Sequence, residues 1–160
     1  MRDKSLIADS MLIPLRAYVD DRGYLIEVIR KARPKTDPWS VCEKFGQVYL
    51  VGNFGKGTIR AFHKHEKLWD FFFISHGSAK FVLVDDRESS PTYRATGTFV
   101  ISERNPSLLV VPPGVYHGWM SLEDGTQMVS IASEIYDREK SDEIRIPPDS
   151  FGDVWTVKGR

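Results

Sequence analysis

The sequence predicts an all-β chain folded as a double-sheet jelly roll, and three observations lead there. Its apolar runs are short and rich in Val, Ile, Phe and Tyr, they are bounded by Gly, Pro, Asn, Asp or Ser clusters, and no helical period is sustained outside a few turns. About nine such runs joined by short turns suit closure, because a closed pair of sheets hides the strand edges that an open sheet leaves unpaired. The 160 residues read as a single domain, long enough to bury about two-thirds of the surface that the unfolded chain exposes. A barrel over 20–135 carries a tail over 136–160 packed on it.

The expected strands run over 24–30, 47–53, 58–63, 71–75, 80–85, 97–101, 108–111, 118–122 and 127–133. Pro34 and Pro38 make 33–40 a loop after the first strand. Phe54-Gly55-Lys56-Gly57 turns the chain into the third strand, Ser75-His76-Gly77-Ser78 into the fifth, and Glu103-Arg104-Asn105-Pro106-Ser107 into the seventh, with a loop over 86–95 before the sixth. Asp124-Gly125, set between the last two apolar runs, reads as a hairpin turn. The segment 137–149 is charged and then interrupted by Pro147 and Pro148, as expected of a tail lying over the barrel. Phe71-Phe72-Phe73-Ile74 is apolar on both faces, so its strand needs a second cover, either from another subunit or from tail and loop residues of the same chain. Trp39, Trp69, Trp119 and Trp155 read as core or rim packing.

Lysine plus arginine balances aspartate plus glutamate at 22 each, and neither sign forms a block. Nothing here favours a nucleic-acid or membrane-surface role. The stretch 1–14 carries Arg2, Asp3, Lys4 and Asp9 and has no long apolar core, unlike a signal peptide or a membrane span. Cys42 is the one cysteine, so no intrachain disulfide can form, and it reads as a small apolar residue. The expectation is a soluble protein of the reducing cytoplasm.

The chemistry concentrates in the histidines. Of four in the chain, three fall into two spaced motifs: Gly57, five residues, His63, one residue, His65, four residues, Asp70, six residues, Gly77; and Pro112-Pro113-Gly114, two residues, His117. His76 falls in a Ser-His-Gly turn and reads as a surface residue. Residues two apart on a strand share a face, so His63 and His65 project into one cavity where Asp70 and His117 can meet them. Two chemistries compete for this set. His63, His65, Asp70 and His117 suit a divalent metal with open positions left for substrate or water. Without a metal, His63 is a general base for a proton made acidic by a neighbouring ketone, and Arg60 is the nearest cation in sequence for the resulting enolate. Arg60 and His63 are three apart, so a regular strand would set them on opposite faces and their cooperation requires a bulge or a substrate wrapped between them. His63 cannot serve both chemistries with one nitrogen.

The spaced motifs resemble the signature of the cupin barrels, with Asp70 where a glutamate is usual and Pro106 where a glycine is usual. Asp21-Arg22-Gly23 with Glu27, Gly57-Thr58-Ile59-Arg60-Ala61-Phe62-His63, the segment from Asp85 through Ser90-Pro91-Thr92-Tyr93, and Pro113-Gly114-Val115-Tyr116-His117-Gly118-Trp119 resemble successive blocks of one cupin family, the dTDP-4-dehydrorhamnose 3,5-epimerases, over about residues 20–155. The resemblance implies a homodimer that epimerises a nucleotide-linked 4-keto-6-deoxy sugar by deprotonation and reprotonation, with no redox cofactor. It also implies His63 as the base, Arg60 as the arginine beside it, Arg22 and Glu27 as holders of the nucleotide, and His117 and Trp119 as substrate-binding residues. The acid tyrosine falls on Ile135 or, one residue on, on Tyr136. The chain departs from the family at Asp70, where a lysine is expected, at His65, where a glutamine is, and beyond Trp155, where the family's aspartate partner of the base would lie. A carboxylate in place of a cation inverts the local electrostatics and moves the site toward metal binding. The alternatives to an epimerase are therefore a metal-dependent cupin enzyme and a non-catalytic nucleotide-sugar binding module.

Overall fold

The computed structural model describes residues 7–30 and 45–157; Trp39, Cys42 and the expected loop over 33–40 lie outside the described residues. The chain forms β1 (Met11–Pro14), β2 (Ala17–Asp20), β3 (Gly23–Ile26), β4 (Gln47–Gly52), β5 (Ile59–His65), β6 (Asp70–His76), β7 (Ser78–Asp85), β8 (Thr96–Ser102), β9 (Ser107–Val111), β10 (Val115–Ser121), β11 (Gln127–Ala132) and β12 (Glu143–Arg145). One sheet is ordered β1-β9-β6-β11-β4 and the other β12-β5-β10-β7-β8, while β2 and β3 make a separate ribbon. All pairings are antiparallel. This is the all-β jelly roll that the strand spacing predicts.

Each expected strand is present, and three further ones are not foreseen: β1, β2 and β12. They span only three or four residues each, too few for alternation to stand out from its surroundings. The first expected strand contracts to β3 because Val28 and Ile29 leave the ribbon to pack on the first sheet. Asp124-Gly125 does not close a hairpin. It carries the chain from β10 in the second sheet to β11 in the first, and the two strands are not paired. A tight glycine turn with left-handed Gly125 (φ 68°) serves a crossover between layers as well as a hairpin.

The interior is sealed from both sheets: Phe72, Ile74, Leu109 and Met128 from the first meet Phe81, Leu83, Ile101 and Trp119 from the second. Phe71, on the opposite face of β6, packs with Leu108, Val110 and Ile131 under Met11, Ile13, Val28 and Ile29. Val28 and Ile29 of the same chain, just after β3, give part of the second cover that the Phe71–Ile74 run calls for, while Met11 and Ile13 extend the same face from β1. Trp155 closes one end of the second sheet against Phe62, its indole N–H donating to the Pro148 carbonyl at 2.9 Å. His76 is exposed at the surface beside Glu103, as expected.

Two local constraints set where β10 enters the site. Asp85, at the end of β7, accepts from Arg87 Nε at 2.8 Å and Nη2 at 2.9 Å and from the hydroxyls of Ser90 and Thr92. Burial pushes its pKa up, but those hydrogen bonds outweigh burial and hold the carboxyl far below the usual carboxylate range. The network fixes Arg87 beneath Gly114, where a Cβ would stand 2.9 Å from Arg87 Cδ, and Gly114 N–H donates to the His65 carbonyl at 2.7 Å. Further along β10, a Cβ at Gly118 would overlap Ala61 Cβ and stand 3.0 Å from the Arg60 carbonyl oxygen. Only glycine lets β10 approach β5 this closely.

Asp85 has its pKa depressed by folding, so it contributes stability above about pH 4, the unfolded value, that is lost as pH falls below it. Asp85→Asn is expected to cost about 2–3 kcal/mol at pH 7 and to flatten the acid limb of stability against pH, measured by urea unfolding from neutral pH downward. Gly118→Ala is expected to cost about 1–3 kcal/mol by overpacking; Gly125→Ala, which meets no neighbouring atom, serves as the comparison that carries backbone strain without a clash.

Candidate functional site

A cavity of about 500 Å³ lies between the sheets, lined from β4, β5, β6, β10, β11 and β12. That volume is in the range of small-molecule pockets. His63 and His65 face it from β5, Asp70 from the first position of β6, and His117 and Trp119 from β10. Arg60 lines it too, its Nε donating to Asn53 Oδ1 at 2.7 Å. The bulge that this requires is in the register: β5 advances three residues from Arg60 to His63 while β10 advances two from Trp119 to His117. One extra residue returns Arg60 to the histidine face.

The tail contributes more than cover. As β12 it adds to the edge of the second sheet beside β5, with Glu143 opposite His65 and Arg145 opposite His63. Glu143 is thus a diagonal neighbour of His63, within reach of a long side chain. Its Oε1 lies 3.0 Å from His63 Nδ1, and its Oε2 accepts from Arg145 Nη2 at 2.8 Å. Asp142 Oδ1 lies 3.1 Å from His65 Nδ1, and its Oδ2 accepts from the Lys67 backbone N–H at 3.1 Å. A carboxylate beside Nδ1 fixes the proton on that nitrogen and leaves Nε2 with its lone pair. The one sequence signal for this strand is the alternation in Glu143-Ile144-Arg145-Ile146, masked by the charges before it and the prolines after it.

Burial lowers the His63 pKa below the ordinary histidine value; Glu143 pulls it up, and Arg145, His65 and Arg60 push it down again. Burial takes His117 down to about 3, and its Nδ1 donates to the Val115 carbonyl at 3.2 Å. Both imidazoles are neutral near pH 7. Burial, reinforced by Asp142 and Glu143, pushes the Asp70 carboxyl well above the usual range.

His65, Asp70 and His117 bring donor atoms within 4.8 Å of one another. His63 is not in that cluster: its Nδ1 is turned to Glu143, and its ring centre is 6.2 Å from that of His117. The expected four-residue set therefore divides into His63, which pairs with Glu143 from outside the set, and a triad of His65, Asp70 and His117. Tyr136 lines the cavity, its backbone N–H held by Gln47 Oε1 at 3.2 Å, whereas Ile135 is exposed and does not line it. Tyr49, which carried no sequence signal of its own, also lines it. Arg22 and Glu27 do not reach this cavity. Arg22 pairs with Asp20 on the β2–β3 ribbon, and Glu27 pairs with Arg30 at 2.8 Å.

The sequence from 4 to 158 matches the model of the dTDP-4-dehydrorhamnose 3,5-epimerase family. The spore coat polysaccharide biosynthesis protein SpsL of Bacillus subtilis is 36% identical over 149 residues, covering 91% of this chain and 94% of the relative. The probable low-salt glycan biosynthesis epimerase Agl13 of Haloferax volcanii is 32% identical, covering 89% of each chain. Among solved structures, dTDP-4-dehydrorhamnose 3,5-epimerase of Bacillus anthracis with TDP and PPi bound superposes with a TM-score of 0.83 at 24% identity, covering 99% of this chain and 91% of that one. The family-model match over 4–158 and the sequence similarity across nearly the whole of both chains show that the chain belongs to the dTDP-4-dehydrorhamnose 3,5-epimerase family.

Proposed function

We propose that this protein is an epimerase of a nucleotide-activated 4-keto-6-deoxy sugar. The observation that carries the reading is the His63–Glu143 pair, a neutral imidazole oriented by a carboxylate at 3.0 Å on the wall of a cavity of about 500 Å³. Glu143 takes the place of the partner aspartate that the family resemblance sets beyond Trp155.

With Nδ1–H held by Glu143, His63 Nε2 accepts the proton from the carbon next to the ketone, and the C–H electrons pass into an enolate. Arg60, oriented by Asn53, supplies positive charge for the enolate oxygen. Tyr136 returns a proton to the same carbon from the opposite face; the phenolate then recovers a proton from solvent while His63 Nε2 releases to solvent the one it took, which restores both groups. No electron is gained or lost overall, so the reaction calls for no redox cofactor. His117 and Trp119 shape the wall against which the sugar lies.

Arg22 and Glu27, assigned to the nucleotide, sit outside the cavity of their own chain, on and just beyond a ribbon whose Tyr18, Val19, Tyr24 and Leu25 are more than half exposed. A homodimer in which this ribbon meets a second copy would cover those side chains and bring both residues toward a nucleotide. No helix among the described residues is long and apolar enough to cross a membrane, and the reading extends to a cytoplasmic enzyme acting where nucleotide sugars are made.

Incubation in heavy water with dTDP-, GDP- and CDP-linked 4-keto-6-deoxy sugars is expected to place deuterium beside the ketone of at least one, followed by mass spectrometry and proton NMR. Stabilisation by these compounds without exchange would instead indicate a binding module. His63→Ala is expected to slow exchange about 10²- to 10⁴-fold. Glu143→Gln is expected to lower kcat by about 10²-fold or more with little change in KM, because an amide nitrogen at Nδ1 favours the wrong tautomer. Steady-state kinetics on the responsive sugar check both.

A further inference from the structure

We propose that His65, Asp70 and His117 form a three-ligand site for a first-row divalent cation, built separately from the His63–Glu143 pair. His65 Nδ1 is tied to Asp142 and His117 Nδ1 to the Val115 carbonyl. Each imidazole therefore presents the lone pair of Nε2, and both Nε2 atoms face one oxygen of Asp70, at 3.7 Å from His65 and 3.5 Å from His117.

Lone pairs that converge on a carboxylate oxygen repel one another unless a proton or a cation lies between them. A proton shared between Asp70 and either histidine would bring that pair to hydrogen-bond length, and both nitrogen-to-oxygen separations exceed it. These two separations lie near the spacing of metal ligands, about 3.4 Å for atoms about 2.1 Å from a tetrahedral centre, and the three donor atoms all lie within 4.8 Å of one another. Charge points the same way. Asp70 is 3% exposed, and its ion-pair partners among the described residues are these two histidines, with no lysine or arginine. Arg60 is engaged by Asn53 and the Gly52 carbonyl, and Arg145 by Glu143.

The supports are those that metal sites use, a carboxylate behind one histidine and a backbone carbonyl behind the other. Two imidazoles and one carboxylate suit Zn²⁺, Fe²⁺, Mn²⁺, Co²⁺ or Ni²⁺ rather than Ca²⁺ or Mg²⁺, which prefer oxygen ligands throughout. With three protein ligands the remaining positions open to the cavity. His63 stays free to carry a proton, so metal binding and base chemistry do not compete for one nitrogen. A cation here supplies Lewis-acid polarisation of a carbonyl oxygen. That role rests on the epimerase reading, whereas the binding site does not.

The test is made on untagged protein stripped with a chelator and titrated with Zn²⁺ and Co²⁺ in the absence of any sugar, followed by elemental analysis, competition with a chromogenic chelator, and the visible absorption of bound Co²⁺. About one equivalent per chain is expected. Affinity is expected to fall at least about 100-fold in His65→Gln and Asp70→Asn and about 10- to 100-fold in Asp142→Asn, and to stay within about threefold in His63→Ala. Circular dichroism checks folding; should Asp70→Asn not fold, His65→Gln, at a half-buried position, decides. Less than about a tenth of an equivalent on the native protein, unchanged affinity in His65→Gln, or loss of the metal in His63→Ala overturns the proposal. Because no sugar is present, each of these outcomes is independent of the deuterium-exchange result.

Discussion

Strand β5 pairs with β10 on one side and β12 on the other, and the site follows from those two ladders. The β10 ladder carries one extra residue on β5, which turns Arg60 onto the face of His63, and Gly118 gives the close approach that lets this happen. The β12 ladder brings Glu143 and Asp142 to the two histidines. Without β12, β5 would be a sheet edge with two imidazoles and no carboxylate to orient either of them.

The two carboxylates each take one histidine of β5. Asp142 and Glu143 are adjacent in sequence, and in a strand adjacent side chains point to opposite faces. Asp142 lies just before β12 begins, where alternation no longer binds it, so both can reach β5. Each holds Nδ1 of one imidazole. His63 is left with a free Nε2 at the cavity wall, and His65 points its Nε2 at Asp70. Asp70, where the family resemblance leads one to expect a lysine, fits the metal site we propose beside this second pair. A lysine there would add a cation where the neutral Nε2 atoms of His65 and His117 present lone pairs, whereas a buried carboxylate completes a set of donors that a divalent cation can neutralise.

Much of the fold was legible because it rests on local pattern. Short runs of Val, Ile, Phe and Tyr between turn residues gave the long strands within a few positions, and two-residue spacing put His63 and His65 on one face. The same reasoning left two ways for Arg60 to join His63, a bulge, which the register of β5 on β10 carries, or a substrate wrapped between them. It misjudged Asp124-Gly125, because a glycine turn looks the same whether the next strand pairs with the last or crosses to the other sheet. It also took the segment around Glu143 for a covering tail, since three residues of alternation among charges and prolines look no different from loop.

By itself, the sequence determined that the chain is a jelly roll, which three histidines and which aspartate meet in its cavity, and the family to which those motifs belong. These depend on spacing within one strand or one turn, where backbone geometry translates sequence distance directly into direction. The tertiary structure alone decided that the histidines separate, His63 beside Glu143 and His65 with His117 beside Asp70, and that Arg22 and Glu27 stand away from the cavity of their own chain. Those outcomes depend on which strands pair and in what register. Glu143 reaches back about 80 residues to His63, a contact set by packing and closure of the whole barrel rather than by any local preference.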